Sequence, residues 1–208
     1  MVIAGVIGRK GLKQTAELIY SFFTSRGQTV SIINSKKIGK TDIHNIKKYI
    51  EELKKNDIDL LIFKINPEHT DIDTIKYIHF DIIVCEDKMD WYSLFPRLDK
   101  RGIVIVNIDD DNITGSLQSI KEYIVTYGFN QEASITASSV GDMTFEDTFI
   151  CCLRKTISTW NGEQIEPQEY KLKIKADRTD KHKVLAAASL AIVSGVDLNV
   201  SFYQNTTN

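Results

Sequence analysis

The chain has 208 residues, of which 42% are hydrophobic and 26% are charged, a composition typical of a globular protein and a length that allows one large core or at most two small ones. Its formal net charge of −2 and isoelectric point near 6.1 provide no basic field that would attract nucleic acid or an anionic membrane. Because no segment approaches the roughly 18 consecutive apolar residues of a membrane span and the N-terminus lacks the pattern of a secretory signal, we expect a cytoplasmic protein without a membrane or nucleic-acid partner.

Short apolar runs alternate with helical patterns over the first two thirds of the chain, which is typical of successive βα units. Five strands are predicted, at residues 2–7, 29–33, 59–65, 80–85 and 103–108. A helical pattern runs over residues 14–26, and a second begins behind Thr41, a favourable N-cap residue. The sequence therefore predicts an α/β fold over residues 1–120, with a P-loop-like, mainly parallel sheet flanked by helices.

The pattern changes after about residue 121. Four strand-like segments follow one another without helices between them, at residues 123–126, 133–138, 149–157 and 170–174. This arrangement predicts an antiparallel β flap over residues 121–178. An Ala- and Leu-rich segment that ends at Gly195 predicts a closing helix within residues 179–200. Residues 1–200 thus read as one domain, and residues 201–208 as a polar tail.

A glycine turn, Gly8-Arg9-Lys10-Gly11, lies between the first predicted strand and the first helical pattern. Such a turn directs backbone N–H groups and a helix dipole at a phosphate. A working P-loop has Lys and then Ser or Thr directly after its last glycine, whereas this chain has Leu12 and Lys13. Lys10 and Lys13 are candidates to replace the missing charge. The alternative is that both are solvated charges on an ordinary turn.

Polar residues at the end of the fifth predicted strand form a second candidate site. Asn107, Asp109 and Asp110 lie there, followed by another aspartate. They suggest either a ligand site at the edge of the sheet or, as we favour, a turn that caps the next helix.

The histidines and cysteines form no metal-binding pattern. The four histidines lack the i, i+4 spacing of a helical metal site, and the three cysteines have neither metal nor disulfide spacing. Cys151 and Cys152 are adjacent in a predicted strand, so their side chains should point to opposite faces. We therefore predict no metal ligands.

Four stretches of the chain, taken in order, resemble the central ATP-binding domain of the Mur ligases and of the related folylpolyglutamate and cyanophycin synthetases. They are Gly8 to Gln14, which lies where the family has GTNGKTT; Gly102 to Asp110; Thr126-Tyr127-Gly128 with Ala133; and Leu185 to Ala188 with Gly195. The family uses ATP to convert a carboxylate into an acyl phosphate, which an amine then attacks. The resemblance implies that Gly8, Arg9, Lys10, Gly11 and Lys13, together with Asn107, Asp109 and Asp110, descend from the ATP site.

The positions that carry the family's chemistry hold other residues here. Leu12 and Lys13 replace the phosphate-binding lysine and the magnesium-binding threonine, and Lys64 replaces a metal-binding glutamate. Trp91 replaces a carbamylated lysine, and residues 179–183 lack the family's adenine-contacting asparagines. The resemblance also implies that the domains flanking this region in Mur ligases are lacking.

From the resemblance and these departures we expect a degenerate Mur-ligase-like domain that has no catalytic residues and no ligase activity on its own. It would act by binding a nucleotide or phosphate ligand or a protein partner, with ATP and magnesium as candidate cofactors. The open alternative is an ATP-dependent carboxylate–amine ligase whose missing domain is supplied by another chain. Because the uncovered faces would expose apolar surface, a homodimer or a bound partner is expected.

Overall fold

The computed structural model describes residues 1–38, 43–70, 72–75, 77–87, 98–109, 121–138, 148–174 and 179–199. The helices are α1 (Leu12–Thr24), α2 (Ile43–Lys55), the short α3 (Ile72–Ile75) and α4 (Lys181–Val193), and a 3-10 turn spans Ser35–Lys37. The strands are β1 (Val2–Ile7), β2 (Val30–Asn34), β3 (Leu60–Ile65), β4 (Phe80–Cys85), β5 (Leu98–Asn107), β6 (Tyr123–Tyr127), β7 (Ile135–Ala137), β8 (Thr148–Leu153), β9 (Ile157–Ser158), β10 (Gln164–Ile165) and β11 (Gln168–Lys173).

One large sheet organises the fold. Among the described residues, nine strands form it in the order β11-β8-β7-β6-β5-β4-β1-β3-β2. The seven strands from β2 to β7 are parallel to their neighbours, and β8 and β11 join antiparallel at one edge. A separate hairpin pairs β9 with β10. The predicted fold class, a mainly parallel sheet with added antiparallel strands, is confirmed.

The parallel part of the sheet extends further than the predicted boundary near residue 121. Both β6 and β7 join in parallel, so the antiparallel pairing begins only at β8. A run of strands without intervening helical patterns suggested hairpins, but β6 pairs with β5 in parallel from Ile103 opposite Tyr123 to Asn107 opposite Tyr127. Local sequence does not show which edge a strand will join, and this is the reason for the difference.

Helices cover both faces of the parallel strands, which explains why those strands are apolar throughout rather than alternating. All six residues of β1 are buried. Helix α2 packs on one face through Ile46 and Leu53, and α1 and α4 pack together on the other. Helix α4 is buried along its length from Lys183 to Val193, so it serves as an interior element rather than a surface cover.

Two features of the predicted organisation lie outside the described residues, namely the N-cap at Thr41 and the tail at 201–208. The closing helix, predicted within residues 179–200, begins at Lys181, where Asp180 caps it by accepting a hydrogen bond from the N–H of His182 at 2.9 Å. In the part of the chain that the structure describes, no helix combines the length and apolarity needed to cross a bilayer.

Candidate functional site

The glycine turn leaves β1 at the carboxyl edge of the parallel strands, where open α/β sheets bind ligands. The N–H of Gly8 donates to the carbonyl of Ile65 on the neighbouring strand, at 3.1 Å. Gly11 occupies the N-cap position of α1 with a φ of 76°, a left-handed conformation that favours glycine. No described side chain caps α1, and its first turn contains no acidic residue, so its positive end faces the turn.

A buried ion pair lies against this turn. Glu86 follows β4 directly, and Lys183 lies in the first turn of α4. The ammonium Nζ of Lys183 is 2.9 Å from Oε2 of Glu86, and the two side chains are only 11% and 1% exposed. Lys183 also donates to the carbonyl of Lys10, at 2.9 Å. A lysine 173 positions along the chain thereby reaches the turn itself.

A hydroxyl of α1 completes the arrangement around Glu86. The Oγ1 of Thr15 donates to Oε1 of Glu86, so each carboxylate oxygen has its own partner. Burial raises the pKa of Glu86, and although Lys183 and Thr15 lower it, burial prevails. The turn, α1, β4 and α4 therefore meet at one charged, solvent-shielded point.

Both glycines of the turn are in contact with this ion pair. A Cβ atom at Gly8 would lie 2.9 Å from Oε2 of Glu86, and one at Gly11 would lie 2.5 Å from Cε of Lys183. Any larger residue at either position would displace one of the charged side chains. The two glycines of the Gly-x-x-Gly turn thus leave space that side chains of the protein itself, Glu86 and Lys183, occupy.

The remaining side chains of the turn point outward. The N–H of Arg9 donates to Oδ2 of Asp87, at 2.7 Å, and its guanidinium pairs with Glu68 at 3.2 Å. Lys13 is 83% exposed and lies 3.6 Å from Glu17 on the outer face of α1. The structure therefore gathers Gly8, Arg9, Lys10 and Gly11 around the ion pair, with Lys10 contributing its carbonyl, but does not bring the ammonium of Lys13 to them.

A second polar cluster lies next to the ion pair, at the end of β5. Asp109 accepts hydrogen bonds from the N–H groups of Phe129 and Asn130, both at 2.7 Å, and lies 2.8 Å from Nε2 of His182. The amide oxygen of Asn107 accepts the N–H of Asp109 at 3.1 Å. Partial burial alone would raise the pKa of Asp109, but the two N–H groups and His182 hold it below its usual value.

Asp109 thus ties the start of α4 and the turn after β6 to the edge of the sheet. Asp110, the other predicted aspartate, lies outside the described residues, as does Trp91. Lys64 lies on β3, half-buried, and its carbonyl accepts a hydrogen bond from Ser35. Within the described ranges, no group of three or more His, Cys, Asp or Glu side chains is arranged to hold a metal ion.

Sequence reasoning missed the meeting of Glu86, Lys183 and Thr15. Glu86 had a usable signal, since it directly follows a buried strand and such residues lie at the ligand-binding edge of a parallel sheet. Lys183 had none, because its contacts depend on how α4 packs against α1. From the sequence, His182 was one of four histidines without metal spacing and part of residues 179–183; in the structure its ring contacts Asp109 and packs in a T-shaped arrangement with Phe129.

Together, the parallel sheet, the glycine turn entering α1 and the buried closing helix define a P-loop-like α/β domain. No family model matches the chain. It is 26% identical over 212 residues to a UDP-N-acetylmuramate–L-alanine ligase of Buchnera aphidicola subsp. Acyrthosiphon pisum (strain Tuc7), a match that covers 96% of this chain and 41% of that relative.

Solved structures show the same similarity in three dimensions. MurF of Acinetobacter baumannii superposes with a TM-score of 0.63 at 14% identity, covering 98% of this chain and 47% of that one. The bifunctional folylpolyglutamate synthase/dihydrofolate synthase of Yersinia pestis superposes with a TM-score of 0.56 at 8% identity, covering 97% and 58%. The chain is therefore similar to Mur ligases and folylpolyglutamate synthases over their central-domain region, and the predicted resemblance is confirmed.

Proposed function

We propose that this chain is a Mur-ligase-like domain that binds a phosphate-bearing ligand, such as a nucleotide, at the glycine turn and does not form amide bonds on its own. The observation that carries the proposal is the position of Lys183. Its ammonium lies at the turn, within 2.9 Å of the carbonyl of Lys10, and provides the positive charge that Leu12 lacks.

Two features support anion binding at this point. A lysine ammonium has three N–H donors, and the described residues account for two of those on Lys183, through Lys10 and Glu86. The start of α1 adds the partial positive charge of its dipole and its first backbone N–H groups. A phosphate at this position would therefore meet the donors that a P-loop supplies, with the lysine coming from a different helix.

The residues at the positions of metal chemistry argue against catalysis. The side chain of Leu12 is half-buried, packs against the core and has no charged or polar group to offer a phosphate. Lys13 is directed at Glu17 in solvent, and a cationic side chain in place of a magnesium-binding hydroxyl repels the metal. We infer that any nucleotide bound here is held without magnesium and is not turned over.

Isothermal titration calorimetry with ATP tests this proposal. We expect saturable binding in EDTA that is lost in the double variant K183M/E86Q, which removes both charges while preserving the shape of the pair. The variant K13M should bind like the wild type, whereas the hypothesis built on the sequence requires it to bind more weakly. Binding that is lost in K13M and retained in the double variant would refute the assignment of Lys183.

An ATP-dependent amide ligase is the second candidate, favoured by sequence similarity to a named ligase over 96% of the chain. It requires that the catalytic groups absent from the turn be supplied by another chain. Magnesium-dependent release of ADP would support it. If the folded protein binds neither ATP nor inorganic phosphate, a protein partner or a second copy of the chain becomes the better proposal, and light scattering after size exclusion would detect the homodimer.

A further inference from the structure

The ion pair at the glycine turn has a consequence for any ligand that binds there. We propose that Glu86 is an internal competitor for Lys183: its carboxylate occupies the ammonium that a ligand phosphate would use, so that ligand binding requires this ion pair to be broken or neutralised. This inference rests on the proposed function and describes how the same site is regulated.

The contacts of Glu86 are those expected of a phosphate. One carboxylate oxygen lies 2.9 Å from the ammonium of Lys183, and the other accepts a hydrogen bond from the hydroxyl of Thr15. In a P-loop an ammonium and a hydroxyl at the start of the helix face the phosphates and their metal ion. Glu86 therefore satisfies, from within the protein, the two kinds of side chain that a nucleotide would otherwise engage.

The packing around Glu86 restricts its side chain to this position. Its side chain is 1% exposed and lies against Gly8, where even a Cβ atom would approach Oε2 to 2.9 Å. Lys183 is fixed in the same way against Gly11. Because neither glycine has a side chain, the turn leaves space for the ion pair. The pairing of Glu86 with Lys183 therefore depends on the two glycines of the turn.

The charges around Glu86 strengthen the competition. Asp87 adds a second carboxylate at the edge of the turn and already accepts the N–H of Arg9, at 2.7 Å. The other titratable groups near Glu86 are Cys85 and Tyr127, both buried, and burial raises the pKa of each, so both are neutral near pH 7. With Lys183 as its only close cationic partner among the described residues, an ionised Glu86 repels an incoming phosphate through a poorly screened environment.

The test compares wild type, E86Q and E17Q by titration with ATP and with inorganic tripolyphosphate in EDTA. The amide introduced by E86Q keeps the shape of the side chain and can still accept the Thr15 hydrogen bond, but it no longer neutralises Lys183. We expect E86Q to bind both probes at least about tenfold more tightly than wild type, a difference of ~1.4 kcal/mol. The variant E17Q removes one exposed carboxylate from the outer face of α1 and controls for net charge; it should bind like wild type.

The outcomes separate this inference from the proposed function. Wild type that binds while E86Q binds equally or more weakly would overturn the competitor role and leave phosphate binding in place. Folded wild type and E86Q that both fail to bind either probe would overturn the proposed function, and the inference with it. Should E86Q not fold, E86D withdraws the carboxylate from Lys183 by one methylene, and it must bind more tightly than wild type if the inference holds.

Discussion

Removing Lys183 alone should damage the protein far more than removing Lys183 and Glu86 together. In K183M the carboxyl group of Glu86, 1% exposed, loses its cationic partner. Leaving one partner of a buried ion pair uncompensated typically costs about 3–5 kcal/mol. In K183M/E86Q a neutral amide replaces the acid and keeps the Thr15 donor, so the main loss is the hydrogen bond to the Lys10 carbonyl, about 1–2 kcal/mol.

Urea denaturation at neutral pH, followed by circular dichroism, measures both values. For a chain of 208 residues, each kcal/mol corresponds to a shift of roughly 2–4 °C in melting temperature, so thermal melts give an independent reading. We expect the single variant to be less stable than the double variant by about 1–4 kcal/mol, the difference between the two estimates above.

The pH dependence of the stability of the two variants provides a second test of the same prediction. Burial raises the pKa of Glu86, and a carboxyl group whose pKa is raised by folding favours the folded state at low pH and opposes it as pH rises through the folded pKa. The loss in free energy of unfolding of K183M relative to wild type should therefore become smaller as the pH falls toward about 5 and larger as it rises toward about 8. The double variant should show no such trend. Single and double variants of equal stability at every pH would refute the reasoning.

The surroundings of Gly11, Asp109 and Cys152 support three more predictions. Thermal melts should show G11A destabilised more than G27A, because both glycines have a positive φ but only a Cβ at Gly11 meets Lys183; equal losses would mean that the turn tolerates a methyl group. D109N should lower the free energy of unfolding by about 1–2 kcal/mol at neutral pH. Because the pKa of Asp109 is lowered, this difference from wild type should disappear in urea titrations as pH falls below about 4. A loss of stability that persists in acid would contradict the role of the carboxylate. In the folded protein a thiol reagent should label only Cys152, and slowly. Cys152 is half-buried with a raised pKa, while the other two thiols are buried. Rapid labelling of two or three thiols would show that the β8 region opens readily.

The parallel framework could be predicted because its elements have strong local patterns. The first strand, 2–7, and the fourth, 80–85, were placed at their observed bounds, since each is a short apolar run buried on both faces. Cys151 and Cys152 alternate as expected, the first buried and the second half-buried. The partner of β6 was not predictable in the same way, because pairing with β5 depends on the whole sheet.

The candidate site could be predicted only in its backbone. The glycine turn was located from the sequence because strand, glycine and helix follow one another within a few residues. Its charged partners come from after β4 and from α4, and no local signal links Lys183 to a turn 173 positions earlier. Lys13 was a reasonable candidate by position, but α1 turns its side chain toward Glu17. Helix packing, which brings α4 against α1, determines which lysine reaches the turn.

The most direct test of the proposed function is a titration of the wild-type protein with ATP, carried out once in EDTA and once with excess magnesium, with ADP measured in the same samples. We predict saturable binding in EDTA, a change of less than about threefold in affinity when magnesium is added, and no ADP. Binding that appears only with magnesium, or accompanying formation of ADP, would contradict the proposal.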